Sequence, residues 1–545
     1  MVPCGRERQL AAQRQTGPEA EQKAPSQAQP QLAPGPPERL KIIVLDDDPT
    51  GSQTVHSCPL LLRWTPQALA AGLAHPSPLL FLLANSRGLA APEAAERVRQ
   101  ICKALTAALA AARQAGVIDR WLLLSRGDST LRGHFPLESE LLQAELGPFD
   151  TTLLVPAFLP GGRTTVAGEH RLHGQPVHTS AFAQDRQFGY STSYLPAWVE
   201  QKSGGRWPAQ QVQRIGLAEL DAAAAELAGQ QLTAPQQAAE LSEQKLALTG
   251  PADQELAAAP ALQQPLAAGG YGLLQQRLAG FANNVCVVVD GERPEQLSAL
   301  AAAVRQLTAP TAAAAWGRPR RLLAQCAASW IEALAALPPQ PLSRQGLVGL
   351  RRRDSAGAPL PGLVLVGSHV PLADSQLARL LAQPACAGVE LDVALVARLL
   401  ATAEPGPQLA ALAADLAAQL QRLLVPGQTP VLFTSRGEFS CRDAAERWAL
   451  GEALATLMGR LAGRLAPGLG YLISKGGITS HTLLADGLAL DRVELQGQLL
   501  PGLSLVLTPA EAAVAGLPVL TMPGNLGDAD CLVQAWALLE NSSIG

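Results

Sequence analysis

The sequence is poor in aromatic residues and in charges, and it contains no long apolar run. Phenylalanine, tryptophan and tyrosine together make up 4% of the 545 residues, and charged residues make up 16%. The net charge of −4 argues against a nucleic acid or an anionic membrane as the main partner. No apolar segment reaches the roughly 18 residues that a membrane span requires. We therefore expect a globular, helix-rich protein that binds neither nucleic acid nor membrane.

Cysteine is scarce and scattered along the chain. The eight cysteines include no CxxC pair, so the sequence predicts neither a disulfide framework nor a zinc ribbon. His170, His173 and His178 cluster loosely but lack the cysteine or carboxylate partners of a zinc site. A reducing compartment is the simplest inference, and we expect a cytoplasmic protein.

Shifts in composition divide the chain into domains and connecting segments. Residues 1–38 are rich in Gln, Pro, Ala and Glu and predict a disordered tail. The tail lacks a continuous apolar region, which argues against a secretory signal, whereas its arginines leave organelle import open. We expect a first domain over 39–337 with a low-complexity insertion over 217–280, a proline-rich linker over 338–361, and a second domain over 362–545.

Short apolar runs that end in polar or glycine-rich turns recur in both domains and predict the strands of parallel sheets. Helices alternate with them, such as one that begins near Pro92 and one over 294–306. The predicted fold class is α/β, with two domains, each a mainly parallel sheet flanked by helices, and the active site in the interdomain cleft. The predicted strands are 42–45, 79–84, 121–124, 152–155 and 285–289 in the first domain, and 363–366, 431–434, 471–474 and 519–522 in the second.

The stretch KIIVLDDDPTGSQTVH (41–56) places three consecutive aspartates directly after the first predicted strand. Asp46, Asp47 and Asp48 repel one another unless a cation, a hydrogen-bonding substrate or a basic partner offsets their charges. Open α/β sheets bind their ligands at such strand ends. We predict that Asp46 and Asp47 bind substrate hydroxyls and that one of the two is the catalytic base. The residues alone do not decide which.

Charged side chains also follow the neighbouring strands of the first domain. Arg87, Asp128, Arg132 and Arg163 lie in loops after predicted strands, so we expect them to converge at one edge of the sheet. Arginines clamp a carboxylate bidentately and aspartates accept hydrogen bonds from hydroxyls, which suits a small hydroxylated acid as ligand. The alternative for Asp128 and Arg132 is a structural ion pair.

Glycine-bearing loops follow four predicted strands of the second domain. Backbone N–H groups exposed by glycine turns hold phosphates, particularly where a helix starts immediately afterwards. No Walker A motif is present, so the nucleotide site would be of another kind. Asp528 is a candidate for holding Mg²⁺ through water. Lys475 either neutralises phosphate charge or is an ordinary exposed lysine. Two lobes of this kind predict a phosphotransferase whose cleft positions a γ-phosphoryl group near an acceptor hydroxyl.

A phosphohydrolase is the main alternative function. The sequence IIVLDDDPT contains the hhhhDxDxT pattern of haloacid-dehalogenase-type enzymes, with Asp46 and Asp48 as nucleophile and acid. Ser125, Lys475 and Asp528 match that family's remaining motifs only in short strand-plus-residue patterns, and a proline-rich boundary separates the second from the third. A non-catalytic ligand-binding module is a further alternative.

Ten motifs in order resemble the four-carbon acid sugar kinases, which phosphorylate threonate, erythronate or their oxo forms with ATP. The DDDPTG and KGGITS forms look closer to a eukaryotic branch, since bacterial members more often have DDxTGA and GGET. That departure leaves the exact substrate open. The motifs are DDDPTGSQTV (46–55), NSRGL (85–89), DSTLRGH (128–134), PAFLPGGRTT (156–165), FGYSTSYLPAWVE (188–200), VGSHVP (366–371), TSRG (434–437), KGGITS (475–480), GQLLPG (497–502) and MPGNLGD (522–528).

The resemblance implies an N-terminal acid-sugar-binding domain and a C-terminal nucleotide-binding domain. It implies ATP-dependent phosphorylation of a four-carbon acid sugar on its terminal hydroxyl, with ATP and Mg²⁺ bound. Which stereoisomer is used, and whether the chain forms a homodimer, stay open. The ATP contacts that it implies fall on six residues of the second domain: Ser368, Gly476, Gly477, Ile478, Thr479 and Gly524.

Overall fold

Eighteen strands and the helices between them build the described part of the chain. The computed structural model describes residues 38–52, 54–230, 269–437 and 439–540, without the side chains of 444 and 445. The strands are β1 Leu40–Asp46, β2 Cys58–Leu61, β3 Leu79–Leu83, β4 Arg120–Arg126, β5 Thr151–Val155, β6 Arg163–Val166, β7 Glu169–Leu172, β8 Gln175–Pro176, β9 Gln213–Ile215, β10 Val285–Val289, β11 Leu322–Cys326, β12 Gly362–Val366, β13 Cys386–Leu391, β14 Thr429–Thr434, β15 Tyr471–Lys475, β16 Arg492–Leu500, β17 Leu503–Leu507 and β18 Pro518–Met522.

Helices connect most of these strands. The α-helices are α1 Pro66–Ala74, α2 Ala91–Gln114, α3 Leu137–Leu146, α4 Leu195–Lys202, α5 217–230, α6 Gly270–Gly280, α7 Pro294–Thr308, α8 Ala312–Trp316, α9 Ala328–Ala335, α10 Arg344–Val348, α11 Pro371–Leu381, α12 Val393–Leu400, α13 Pro405–Leu423, α14 Ala444–Leu465, α15 Gly477–Thr482 and α16 Cys531–Glu540. A π-helical turn, Leu483–Gly487, continues α15, and short 3₁₀ turns span Ser86–Gly88, Leu159–Gly161, Val177–Thr179, Ala181–Gln184, Ala209–Gln211 and Ala466–Gly468. Within the described residues, no helix combines the length and the apolar character that crossing a membrane requires.

The fold class is confirmed: the chain is α/β, with a large, mainly parallel sheet flanked by helices. The sheet has 15 strands in the order β13-β14-β12-β15-β18-β17-β16-β2-β3-β1-β4-β11-β5-β10-β9. The first half of the chain contains β1 to β11 and the second half β12 to β18. Neighbouring strands in this sheet are parallel except at the join between the halves, where the pairs β2–β16, β16–β17 and β17–β18 are antiparallel. A separate three-stranded sheet, β6-β7-β8, lies in the first half. The sequence did not predict that the two sheets would join edge to edge.

Alternating residues of the strands bury against helices on opposite faces of the sheet. In β1, Ile43 and Leu45 belong to a core that includes Val98 and Ile101 of α2. Ile42 and Val44 belong to a second core on the other face, which includes Trp330 of α9. Because both faces are covered, β1 is a continuous apolar run, as parallel strands with two buried faces generally are.

The register places the carboxyl ends of neighbouring strands side by side. In the first half, Asp46 is paired with Leu83 of β3 and with Arg126 of β4, which is paired in turn with Cys326 of β11. In the second half, Lys475 of β15 is paired with Val366 of β12 and with Met522 of β18. The loops that follow these strands therefore share an edge within each half.

The antiparallel join and the sheet twist together bring the two edges toward each other. Three antiparallel pairings lie between β1 and β15 in the sheet order, so in a flat sheet these two strands would run in opposite directions. The same path crosses six strand pairs, and a twist of about 20–25° per pair rotates β15 by about 120–150° relative to β1. The rotation largely offsets the reversal, so both carboxyl edges can face one cleft.

Two of the predicted segments contain packed helices, and the predicted tail lies almost entirely outside the described residues. The predicted insertion over 217–280 contains α5 and α6, whose Leu220, Tyr271 and Leu278 are buried in the core, while its middle part, 231–268, lies outside the described residues. The predicted linker over 338–361 contains α10, which buries Leu347. The tail predicted over 1–38 lies, up to residue 37, outside the described residues. The domain limits at 39–337 and 362–545 stay predictions.

Candidate functional site

The first aspartate of the DDD motif is enclosed in the protein. Asp46 is 0% exposed, and its Oδ1 lies 3.5 Å from Nη1 of Arg126 and accepts from the N–H of Asp48 at 3.3 Å. The turn backbone covers it, since a Cβ on Gly51 would stand 2.0 Å from that Oδ1. Burial raises the pKa of Asp46 to about 8, with the neighbouring carboxylates adding and Arg126 opposing. Asp46 is therefore a buried acid that is mostly protonated at neutral pH.

The second aspartate is held by two arginines. Asp47 is 3% exposed. Arg87 donates to both of its carboxylate oxygens, from Nε at 2.9 Å and from Nη2 at 2.5 Å. Arg126 donates from Nη1 to Oδ1 at 3.3 Å. These are charge-assisted bonds with a bidentate geometry, which fixes both the carboxylate and the guanidinium of Arg87.

The third aspartate marks the place where the two halves of the chain meet. Asp48 accepts from Nη1 of Arg87 at 3.3 Å and from the N–H of Thr50 at 2.8 Å. Burial alone would raise its pKa, but Arg87 and Arg126 together with the Thr50 hydrogen bonds leave that pKa below its ordinary value. A Cβ on Gly477, the first residue of α15, would stand 3.0 Å from Oδ2 of Asp48. The DDD motif and the KGGITS loop therefore share one cleft.

Two further contacts cross the same cleft. The indole Nε1 of Trp448 in α14 donates to the carbonyl of Gly88 at 3.3 Å. Ile478 Cγ1 lies 4.0 Å from where a Cβ on Gly88 would stand. The NSRGL loop, which carries Arg87, is thus in contact with the second half of the chain.

A pocket opens beside Asp47 in the first half. Its volume is about 390 Å³ with the mouth included. Its lining mixes polar side chains with apolar ones such as Phe135 and Trp198. The polar residues that line it are Asp47, Asp128, Arg132, His134, Glu138 and Gln325.

Asp128 and Arg132 form the ion pair that was the structural alternative for them, and they also line this pocket. Arg132 donates from Nε to Oδ2 of Asp128 at 2.7 Å. Burial alone would raise the pKa of Asp128, but Arg132 and Arg87 together hold it well below its usual range. Asp128 is therefore a carboxylate at neutral pH, and an acceptor for a ligand hydroxyl.

Arg163 lies apart from the pocket wall. Its Nη1 donates to the carbonyl of Gly161 at 2.6 Å, and its guanidinium lies 5.8 Å from the ring centroid of Phe158. Among the described residues that line the pocket, Arg163 does not occur. In this structure it stabilises the PGGR turn, whereas its predicted contact with substrate stays a prediction.

Sequence reasoning missed two polar residues of the pocket. Glu138 of α3 accepts from the hydroxyls of Ser86 and Ser125, the latter at 3.1 Å. Burial, and then the charge of Asp47, raise the pKa of Glu138 to about 7. Gln325 of β11 has a buried Oε1 without a hydrogen-bond partner among the described residues. The only signal for Glu138 was its position shortly after DSTLRGH, and Gln325 had none, because β11 was not predicted.

Three glycine-bearing loops pack closely in the second half. A Cβ on Gly524 would stand 2.5 Å from Oγ of Ser368, and a Cβ on Gly367 would stand 2.1 Å from Oγ1 of Thr479. Gly476 has a φ of 117°, a conformation that favours glycine. The structure thus brings together the loops that carry the predicted nucleotide contacts. Five of the six residues lie where these loops pack, and the side chain of the sixth, Ile478, is exposed beside them.

These three loops, which we call the glycine cradle, suit a polyphosphate. A Cβ on Gly367 or Gly524 would clash with Thr479 or Ser368, so only glycine lets the loops pack this closely. The backbone N–H groups in the first turn of α15 have no partner within the helix, and such groups suit phosphate oxygens. The N–H of Gly476 is already used, since it donates to the carbonyl of Met522 at 2.9 Å. Asp528 is exposed, and its Oδ1 accepts from the N–H of Asp530 at 3.0 Å.

The fit to a metal ion is weaker. Asp528 retains one oxygen for a water-mediated contact, which suits Mg²⁺ bound largely by phosphates. In the described ranges there is no group of three or more His, Cys, Asp or Glu side chains arranged to hold a metal. Asp528 is thus the residue that would hold Mg²⁺, through water and beside the phosphates of a nucleotide.

Lys475 is not an exposed lysine, which rules out the second of the two alternatives predicted for it. It is 0% exposed, and its ammonium donates to the carbonyls of Pro523 at 3.0 Å and Gly524 at 3.3 Å. The side chain lies beneath the loops because β15 is covered on both faces.

Comparison with known proteins assigns the two halves. Residues 42–277 match the model of a sugar-binding N-terminal domain, and residues 363–532 match that of a nucleotide-binding C-terminal domain. The sugar- and nucleotide-binding domains indicate small-molecule ligands. Among curated proteins, nothing matched this chain.

Solved structures share the fold. A protein of Salmonella typhimurium LT2, provisionally named a tRNA synthase, is 18% identical with a TM-score of 0.55, over 91% of this chain and 98% of that one. A DUF1537 protein of Haemophilus influenzae is 17% identical with a TM-score of 0.50, over 91% and 100%. A DUF1537 domain of Bordetella bronchiseptica, solved as a domain-swapped dimer with bound citrate, is 22% identical over 92% and 100%, but its TM-score of 0.34 carries no argument.

The matched domains occur in the order that the ten motifs predict. The Salmonella and Haemophilus structures, which each cover 91% of this chain, share its fold. This chain therefore belongs to the DUF1537 family of four-carbon acid sugar kinases, whose architecture joins a sugar-binding and a nucleotide-binding domain.

Proposed function

We propose that the protein is an ATP-dependent kinase that phosphorylates a four-carbon acid sugar, such as threonate, erythronate or an oxo-tetronate, on its terminal hydroxyl. The observation that carries this proposal is the approach of Asp48 to Gly477, with Oδ2 at 3.0 Å from a Cβ position on that glycine. It joins the acidic, arginine-lined pocket of the sugar-binding half to the glycine loops of the nucleotide-binding half.

The pocket supplies the groups for binding the acceptor. Arg132 is the arginine that lines it, so it binds the substrate carboxylate, and Asp128 accepts from a hydroxyl. Asp47 lines the same pocket, whereas Asp46 is enclosed and mostly protonated at neutral pH. We therefore assign the contact with the reacting hydroxyl to Asp47, and a structural role to Asp46. Arg87 orients Asp47 and Asp48 together.

The glycine loops supply the groups for the nucleotide. Backbone N–H groups of Gly477, Ile478 and Thr479, together with Ser368 and Gly524, bind the phosphates of ATP. Gly476 contributes through the turn that its positive φ allows, since its N–H already donates to Met522. Mg²⁺, when bound, neutralises phosphate charge during transfer. Phosphoryl transfer depends mainly on positioning and on electrostatic stabilisation, and closure of the cleft at Asp48 and Gly477 brings the acceptor and the donor together.

The geometry disfavours a phosphohydrolase of the haloacid-dehalogenase type. Such an enzyme needs Asp46 as an exposed nucleophile, but Asp46 is enclosed by the turn at Gly51. It also needs Lys475 beside that aspartate. The Lys475 ammonium is instead bound to the carbonyls of Pro523 and Gly524 in the loop after β18, which we call the PGN loop (523–525).

An ADP-release assay tests the proposal. The purified chain is incubated with Mg-ATP and a panel of four-carbon sugar acids, with three- and five-carbon sugar acids as controls. We expect ADP release that depends on a four-carbon acid. Release of phosphate from sugar phosphates without nucleotide would instead establish a hydrolase, and a raised melting temperature without turnover would indicate a binding module.

A further inference from the structure

Lys475 connects the strand end of β15 to the PGN loop. Its ammonium donates to the carbonyls of Pro523 and Gly524, at 3.0 and 3.3 Å. Across the described chain, no ion pair joins Lys475 to a carboxylate, and the titratable neighbour at Cys531 is a thiol whose pKa is raised by burial, so it is uncharged at neutral pH. A buried charge without an ionic partner is costly, and carbonyl oxygens are the compensation here.

The carbonyls that Lys475 binds belong to the loop that completes the glycine cradle. Gly524 packs against Ser368, which follows β12, so closely that a Cβ on Gly524 would stand 2.5 Å from the Ser368 Oγ. The backbone of the same lysine is fixed as well, because its carbonyl accepts from the N–H of Gly367 at 3.1 Å. Lys475 is thus hydrogen-bonded to the loops after β12 and β18, on either side of its own strand.

We propose that Lys475 is a positioning residue for the nucleotide, whose buried ammonium holds the Pro523–Gly524 turn in the place where it binds phosphate. Lys475 touches neither ATP nor the acceptor; it acts through the loop. This inference rests on the proposed function, because it requires ATP to bind at the cradle.

The chain offers a matched control in Lys41 of β1. Lys41 is 4% exposed, and its ammonium also donates to two carbonyls, those of His75 and Ser77, each at 2.7 Å. Burial lowers the pKa of both lysines to about 8. The two residues therefore share their burial and their bonding, but Lys41 holds a loop of the sugar-binding half.

The experiment compares Lys475→Met with Lys41→Met in the full chain. We expect Lys475→Met to raise KM for ATP about tenfold or more, and to leave KM for the acid within about twofold. Lys41→Met is expected to change neither KM beyond about twofold, although both variants melt at a lower temperature. Lys475→Gln retains a neutral donor, so it should have a smaller effect on KM for ATP and serves if the Met variant does not fold.

Hydrogen exchange provides a readout that does not require ATP. Amides of residues 524–527 should exchange faster in the Lys475 variant than in the wild type, and at the wild-type rate in the Lys41 variant. Unchanged exchange there would overturn the proposal, as would an unchanged KM for ATP. If the wild type binds no ATP by calorimetry, the proposed function fails and the nucleotide role of Lys475 with it, whereas the exchange data still decide whether Lys475 holds the loop.

Discussion

Replacing Asp47 by asparagine should slow phosphoryl transfer, because it removes the carboxylate that we assign to the reacting hydroxyl. The carboxylate accepts two hydrogen bonds from Arg87 and one from Arg126, at 2.9, 2.5 and 3.3 Å. Asparagine has the same shape but removes the charge, and its NH₂ group faces an arginine donor. Losing a buried charge-assisted contact costs about 3 kcal/mol, which corresponds to roughly 100-fold in rate where the reacting geometry depends on it.

Steady-state kinetics of ADP release measures this effect. We expect kcat of Asp47→Asn to fall about 100-fold or more, while KM for ATP stays within about twofold, because the glycine loops of the second half are untouched. Asp119→Asn is the matched control, since Asp119 also pairs with an arginine, Arg39 at 2.8 Å, but on the surface. It should retain the wild-type rate. Near-normal turnover by Asp47→Asn would refute the role assigned to Asp47.

Three further predictions concern neighbouring parts of the cleft. Burial places the pKa of Glu138 at about 7, so its contribution to stability is complete below about pH 4.5 and is lost as the pH rises through about 7. Between about pH 5 and pH 8, the free energy of unfolding of the wild type should therefore fall by about 2 kcal/mol relative to that of Glu138→Gln. Denaturation at both pH values measures this difference, and a difference that does not change with pH would contradict the prediction. Gly477→Ala should lower kcat at least about tenfold by displacing Asp48. Its control is Gly451→Ala in α14, where a Cβ meets open space, and this variant should leave kcat unchanged and stabilise the fold by up to about 1 kcal/mol. Equal kcat values for the two variants would refute the approach of the two halves. Trp448→Phe should raise KM for both substrates about two- to fivefold by removing one hydrogen bond across the cleft, and an effect on stability alone would rule out a role in closure.

The strands that carry the site could be predicted from the sequence, because each is a buried apolar run with an abrupt polar end. β1 and β15 are examples, with every residue from Ile42 to Asp46 and from Tyr471 to Lys475 buried. The strands at the join could not be predicted in the same way. β16 alternates buried and half-buried residues and contains Gly497, and the short β2 contains a proline. Their pairing is decided by contacts distant in sequence.

Pairing among charged residues was also beyond the sequence. Arg126 and Arg163 both follow predicted strands, but of the two only Arg126 contacts Asp46 and Asp47, because it ends β4, the neighbour of β1 in the sheet. Asp46 and Asp47 are adjacent in the chain, yet they differ in their surroundings because successive residues at a strand end point to opposite sides. Glu138 resembles an ordinary helix-surface glutamate until α3 is packed against β4.

The fate of a labelled γ-phosphate shows whether the cleft transfers it to a sugar acid. The protein is incubated with Mg-ATP labelled in the γ-phosphate and with each four-carbon sugar acid, and the products are separated and identified. We expect the label in a phosphate ester of the acid, on its terminal hydroxyl, and Asp47→Asn should abolish most of it. Label recovered only in inorganic phosphate, with no ester of any acid formed, would contradict a kinase cleft between Asp48 and Gly477.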